Sequence, residues 1–409
     1  MLVISNARIA TMTGAQGGAA PLGLIEDGAV HCEGERIVYA GPAAGAPPVA
    51  PAAGGPGGGF IDARGMLLTP GFVDPHTHLL FAGDRAHEHA LRLAGATYLQ
   101  IAEAGGGIRS TVAATRAASD EELLAAARRR LQRLLRSGVT TVEVKTGYGL
   151  SVEDELRLLR LACALGDGVV PTLLGLHALP AGVERGRWVA QVVEELIPEA
   201  ARRGARGCDA FLEQGAFTAA ECRAALAAGA RAGLAGHLHA DQLSPGGGAE
   251  LAAELSCASA GHLEHTTPAG IAALARAGTA AVLLPLAAWF LREKAALAAP
   301  FLEAGVPVAL GSNLNPGSQR IESVSMLLAA GCLLSGLTPA QALWACTAGG
   351  ARALRLDDRG ALRPGLRADL VLFSTPDPDH LPYHAGVEHA ALVVRGGRIV
   401  HDGRDAGGC

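Results

Sequence analysis

The chain has 409 residues, of which 49% are hydrophobic but only 4% aromatic, and a formal net charge of −5. That length and apolar content exclude a disordered chain and leave room for one large domain with an accessory part, or two to three smaller ones. Charges of both signs are dispersed and the balance is slightly acidic, which excludes a broad electrostatic footprint for nucleic acid or an anionic membrane.

Residues 1 to about 66 hold short β-type runs, Leu2 to Ile9 and Ala29 to Ala40, with a low-complexity Gly/Pro/Ala loop over 42–59. The same texture returns from about 363, in 368–373 and 391–400. Two β-rich ends around a different middle predict a small β-sandwich-like domain built from residues 1–66 and 363–409. Between them, strand and helix alternate. Ser119-Asp120-Glu121-Glu122 is a capping box that opens a helix to Ser137, stopped by Gly138. Further helical runs span Thr218 to Ala232 and Leu291 to Ala304. Eight short apolar strands fall at about 72–76, 139–145, 170–176, 208–212, 234–240, 257–262, 279–285 and 306–312. Eight βα units predict a (β/α)8 barrel over 67–362, with its chemistry at the C-terminal strand ends. A doubly wound open sheet is the alternative, but no G-x-G-x-x-G follows the first strand.

Of 34 basic residues only Lys145 and Lys294 are lysines, a compositional bias that makes ordinary Ala and Arg positions uninformative. The eight cysteines, from Cys32 to Cys409, form no C-x-x-C pair and predict reduced thiols. The first residues lack a charged segment followed by a long apolar run, and no stretch of about 18 residues is apolar throughout, so a soluble cytoplasmic protein is expected. A symmetric homodimer is the default assembly.

The histidines stand out on this frame. The first barrel strand ends in Asp74-Pro75-His76-Thr77-His78, and residues i and i+2 of an extended chain project to the same side, so two imidazoles can share one metal. The strand at 234–240 carries His237 and His239, the next ends in His262, and the eighth ends in Gly311-Ser312-Asn313-Leu314-Asn315. Imidazole ligands with an oxygen donor suit zinc or iron, and a coordination position left open to water marks a catalytic site. The pattern His-Ala-Asp makes His239 the ligand and His237 a packed neighbour, while His262 can also be a satisfied core residue. His87, His89, His265, His380, His389 and His401 carry no such signal.

Pro70-Gly71-Phe72-Val73-Asp74-Pro75-His76-Thr77-His78 resembles the first-strand signature of the amidohydrolase superfamily. The set that follows resembles the imidazolonepropionase family within it: Phe81 to Arg85, Gly105-Gly106-Gly107-Ile108, Glu143 to Gly149, Leu176 to Pro180, His239 to Gln242, Ala281 to Pro285, Asn315-Pro316-Gly317-Ser318 and Pro382-Tyr383-His384. The ordered motifs span essentially the whole chain. The resemblance implies hydrolytic ring opening of 4-imidazolone-5-propanoate to N-formimino-L-glutamate by a metal-activated water, in histidine degradation. It implies one zinc or iron ion per chain, on His76, His78, His239 and the residue at the end of the eighth strand. Substrate contacts are implied for Arg85, Tyr148, His177, Gln242, Asn315, Gly317 and Ser318, and roles in the catalytic step for His262, Gln242 and Asn313.

Two departures matter. The family pattern has aspartate where this chain has Asn313, and often aspartate where it has Gly261; an amide is a neutral donor and no base. Lys145 ends the second strand, whereas the bridging lysine of binuclear relatives belongs on the fourth, which here ends near Asp209 and Glu213. One metal and a hydrogen-bonding or salt-bridged role for Lys145 are therefore expected. A hydrolase or deaminase of another cyclic amide or heterocycle, and a low-activity relative that binds ligand without turnover, are the alternative functions.

Overall fold

A computed structural model describes residues 1–48, 59–96, 100 and 105–404. Most of the low-complexity loop over 42–59 and the last five residues, Cys409 among them, lie outside the described residues. The N-terminal part supplies β1 (Leu2–Ala10), β2 (Leu24–Glu33), β3 (Arg36–Pro42), β4 (Gly59–Asp62) and β5 (Leu67–Pro70). The middle supplies β6 (Phe72–Asp74), β7 (Val139–Lys145), β8 (Val169–Leu176), β9 (Gly207–Leu212), β10 (Ala235–Ala240), β11 (Ser259–His262), β12 (Ala280–Leu283) and β13 (Val308–Leu310). The chain ends on β14 (Leu370–Phe373), β15 (Ala390–Arg395) and β16 (Arg398–Asp402).

β6 to β13 pair in parallel and in chain order, the arrangement of a (β/α)8 barrel. They match the eight apolar runs of the sequence to within about two residues, because burial on both faces demands near-continuous Val, Leu and Ala. β6 and β13 do not pair directly. The ring closes just beyond them, through a parallel bridge between Thr77 and Leu314. Asn313 N–H donates to the His76 carbonyl at 2.9 Å and His78 N–H to the Leu314 carbonyl at 2.9 Å.

The other strands form one sheet from both ends of the chain, in the order β16-β15-β14-β5-β1-β2-β3, with β4 on β1. β5 pairs antiparallel with β14 and is one residue from β6, so the two sheets meet at Pro70–Phe72. Val30, Leu68, Leu370 and Val394 belong to a separate apolar core of this sheet.

Helix Asp120–Arg136 has the Ser119/Glu122 capping box, and Ala219–Arg231 has an equivalent one from Thr218 and Glu221. Of the helical run expected over 291–304 only 299–303 is α-helical beyond Leu291, where an earlier helix ends. Pro285–Leu291 ends at Arg292, whose φ of +62° is left-handed, and a new helix spans Ala299–Glu303 with Pro300 in its first turn. Seven cysteines among the described residues are all free thiols. No helix of the described residues is long and apolar enough to cross a membrane.

Candidate active site

His76 and His78 leave the end of β6, and His239 sits on β10 across the barrel mouth. Their side chains meet: His239 Nε2 lies 3.1 Å from His76 Nε2 and 3.3 Å from His78 Nε2. All three residues are buried, and burial is the main cause that pushes each imidazole below its ordinary pKa and keeps it neutral. Three neutral imidazoles thus turn their Nε2 atoms toward one point, where those atoms contact one another. That donor set fits a single divalent ion, and among the described residues it is the one His/Cys/Asp/Glu group that can hold a metal.

The backbone that presents them is tied down by Asp74. Its Oδ1 accepts from His76 N–H at 3.3 Å and from Ser312 N–H at 3.0 Å, joining the exits of β6 and β13. Asn313 follows Ser312, buried, with φ +54°. Left-handed backbone is tolerated by Asn and Asp better than by other residues with a side chain. His262 and Leu263 also adopt positive φ, +78° and +69°. The His262 ring centroid is 5.7 Å from that of His76 and 5.5 Å from that of His239. Its Nδ1 is 3.5 Å from Glu264 and has no hydrogen-bond partner, a buried polar atom left free beside the three histidines. Gly261 has no room for the aspartate of the family pattern. A Cβ there would stand 2.8 Å from His76 Nδ1.

A second group of residues flanks the first. His177 stacks on His78, with centroids 5.2 Å apart at 19°, and Tyr148 packs against both, at 6.0 Å from His78 and 5.4 Å from His177. Burial lowers the His177 pKa to about 4 and raises that of Tyr148, so both are uncharged hydrogen-bonding groups at neutral pH. Arg85 lies against Gly317, where any side chain would overlap it, and Arg92 donates to the Gly317 carbonyl at 2.7 Å. Asn315 spends its amide on its own loop: Nδ2 donates to the Asn313 carbonyl at 2.6 Å and to Ser318 Oγ at 2.8 Å, and Oδ1 accepts from Gly317 and Ser318 N–H, both at 2.8 Å. Gln242 follows β10, half-buried, and no hydrogen bond ties it to the imidazoles.

Several buried charges that set this geometry were not singled out from sequence. Glu155 accepts from Gly147, Gly149 and Leu150 N–H at 2.7, 2.7 and 2.8 Å and so folds the loop that carries Tyr148. Glu88 holds Arg85 Nε at 2.7 Å and Gly107 N–H at 3.0 Å. Asp241 accepts from Gly246 and Gly248 N–H, at 3.1 and 2.9 Å. Their partners are mostly backbone amides, which leave no residue signature in the sequence; only Glu155, Glu88 and Asp241 as acidic residues beside motif positions gave a signal. Lys145 is salt-bridged, 2.7 Å from both Glu143 and Asp209. A cavity of about 1050 Å³ lined by Arg206, His237, Arg355 and Arg359 lies at the N-terminal strand ends, away from these groups.

The amidohydrolase family model matches residues 67–400. The chain is 50% identical to the imidazolonepropionase of Anaeromyxobacter dehalogenans strain 2CP-1, over 99% of this chain and 97% of that protein. It is 44% identical to that of Geobacillus kaustophilus over 94% and 92% of the two chains. Among solved structures it resembles a 5-methylcytosine deaminase from Klebsiella pneumoniae, with 18% identity, a TM-score of 0.71 and coverage of 98% and 97%. An atrazine chlorohydrolase mutant from Arthrobacter aurescens TC1 gives 18%, 0.74, 98% and 96%; at such identities the likeness is one of fold. The barrel, its histidine cluster and these relatives agree: the chain belongs to the amidohydrolase family, with imidazolonepropionases among its relatives.

Proposed function

We propose that the chain hydrolyses 4-imidazolone-5-propanoate to N-formimino-L-glutamate, a step of histidine degradation, with one zinc or iron ion on His76, His78 and His239. The observation that carries the reading is the convergence of three buried Nε2 atoms beside His262 at the C-terminal barrel face, in a chain half identical to imidazolonepropionases. A divalent ion held there by His76, His78 and His239 would supply Lewis acidity to activate water and polarise the ring carbonyl.

The chain's own residues do the rest. Arg85 offers a planar fork for the propanoate carboxylate, held in place by Glu88 at 2.7 Å. Neutral Tyr148 and His177 hydrogen-bond polar atoms of the ligand, while their packed rings exclude water from that side. Addition of water to the ring carbonyl breaks the bond from that carbon to the adjacent ring nitrogen. The carbon becomes a carboxylate and the nitrogen takes a proton, relayed by His262, whose ring lies 5.7 Å from that of His76 and 5.5 Å from that of His239. Gln242, Asn315, Gly317 and Ser318 frame the ligand, Asn315 by ordering the loop.

Asn313 favours a second reading, binding without turnover, because an amide cannot accept the water's proton. The test is loss of imidazolone absorbance with metal-loaded protein, wild type and Asn313→Asp. We expect turnover in both, about ten- to hundred-fold faster in the variant. An inert wild type with an active variant selects the second reading, and intact substrate with both proteins removes the proposed activity.

A further inference from the structure

The three histidines that would hold an ion ligate as neutral rings, and Asn313, whose backbone N–H is tied to His76, carries a neutral amide. A dication in a buried site calls for a negative charge nearby. His78 Nδ1 has no hydrogen-bond partner. His239 differs, because its Nδ1 lies 3.1 Å from Asp209 Oδ2, a short contact that is not aligned as a hydrogen bond. Asp209 is itself held: Lys145 Nζ is 2.7 Å away, and Glu143 holds the same ammonium at 2.7 Å. Thr172 Oγ1 donates to Glu143 at 2.7 Å. The side chains of Asp209, Lys145 and Glu143 are at most 1% exposed, so water does not screen them. β7 supplies Glu143 and Lys145, β8 supplies Thr172 and β9 supplies Asp209, adjacent strands that fix the trio beside His239.

We infer that Asp209 is the metal's charge partner in this chain, acting through His239 in place of the carboxylate that position 313 lacks, with Lys145 and Glu143 holding it in position. The inference rests on the metal-dependent reading of the site and is independent of the substrate. Asp209 is thus a positioning residue, and its contribution is read in metal affinity.

The experiment titrates metal-free protein with Zn²⁺ against a chromophoric chelator, with thermal melting of each metal-free variant as a folding control. Asp209→Asn is expected to weaken Zn²⁺ binding about 10- to 100-fold, the usual cost of losing a carboxylate behind a histidine ligand. Asp209→Asn combined with Asn313→Asp is expected to return to within about threefold of wild type, because the charge is restored from the other side. A purely structural role for Asp209 would not be rescued from position 313. Asp209→Glu, which keeps the charge and shifts it by one methylene, provides the arm that survives a misfolded Asn variant and is expected to bind within about tenfold of wild type. Wild-type affinity in Asp209→Asn, a folded double variant without rescue, or a folded Asp209→Glu that binds no better than an affinity loss of 100-fold would each overturn the inference. Because no arm uses the imidazolone, failure here is separable from failure of the proposed reaction.

Discussion

Asn313 joins two demands at one residue, a left-handed backbone at φ +54° and a position next to the histidine cluster. Asn satisfies the first as well as Asp does, so the substitution tested above leaves the loop unstrained. The cluster is equally strict about volume. Gly261 faces His76 at a distance that excludes a methyl group, with 2.8 Å from an added Cβ to Nδ1. Elemental analysis checks both points: wild type is expected to hold about one zinc or iron per chain, His76→Ala less than a tenth of that, and Gly261→Ala an intermediate amount. Full occupancy in His76→Ala would place the metal elsewhere. The convergence of His76 and His78 was legible because an H-x-H at a strand end projects both rings to one side. Asp209 was legible only as a strand-end acid, since its partners Lys145 and His239 come from strands 64 and 30 positions away in the numbering.

At the level of elements, the loop after β7 shows how a catalytic face is built. The loop over 146–150 carries Tyr148, and Glu155 from the next helix gathers three of its N–H groups. Removing that charge leaves buried amides with a weaker acceptor, and each such loss costs about 1–3 kcal/mol. Glu155→Gln is therefore expected to lower the melting temperature and, if the loop positions Tyr148 for ligand, to raise KM more than it lowers kcat. An unchanged KM with a lower melting temperature would confine Glu155 to stability. The strands themselves were readable from apolar runs, and the capping boxes at Ser119 and Thr218 marked helix starts because side chain and backbone satisfy one another within three residues. The break at Arg292 was not readable, since nothing in its residue type demands a left-handed turn.

Across the whole molecule, buried histidines couple folding to acidity. Burial lowers His177 to about 4 and His237 to about 3 from an ordinary 6.5. The unfolded chain takes protons on these rings below pH 6.5 while the folded protein refuses them, so stability falls as pH drops from 6.5 through 4. Each histidine contributes on the order of 1–3 kcal/mol of that loss by pH 4. Urea midpoints of metal-free protein across this range measure it, and His237→Gln is expected to flatten the slope. An identical slope in the variant would assign the acid sensitivity to other groups. The barrel and the terminal sheet were both legible as patterns, whereas the contact between them at Pro70–Phe72 depends on pairing of β5 with β14, strands about 300 residues apart, which no local pattern encodes.

The barrel's seam is stitched after its strands have ended, by Asn313 to His76 and His78 to Leu314. The stitches are the same short segments that carry two of the histidines, so an ion gripping those rings would also work as a buckle on the hoop. Such an ion would reinforce a cylinder whose seam the backbone hydrogen bonds already close.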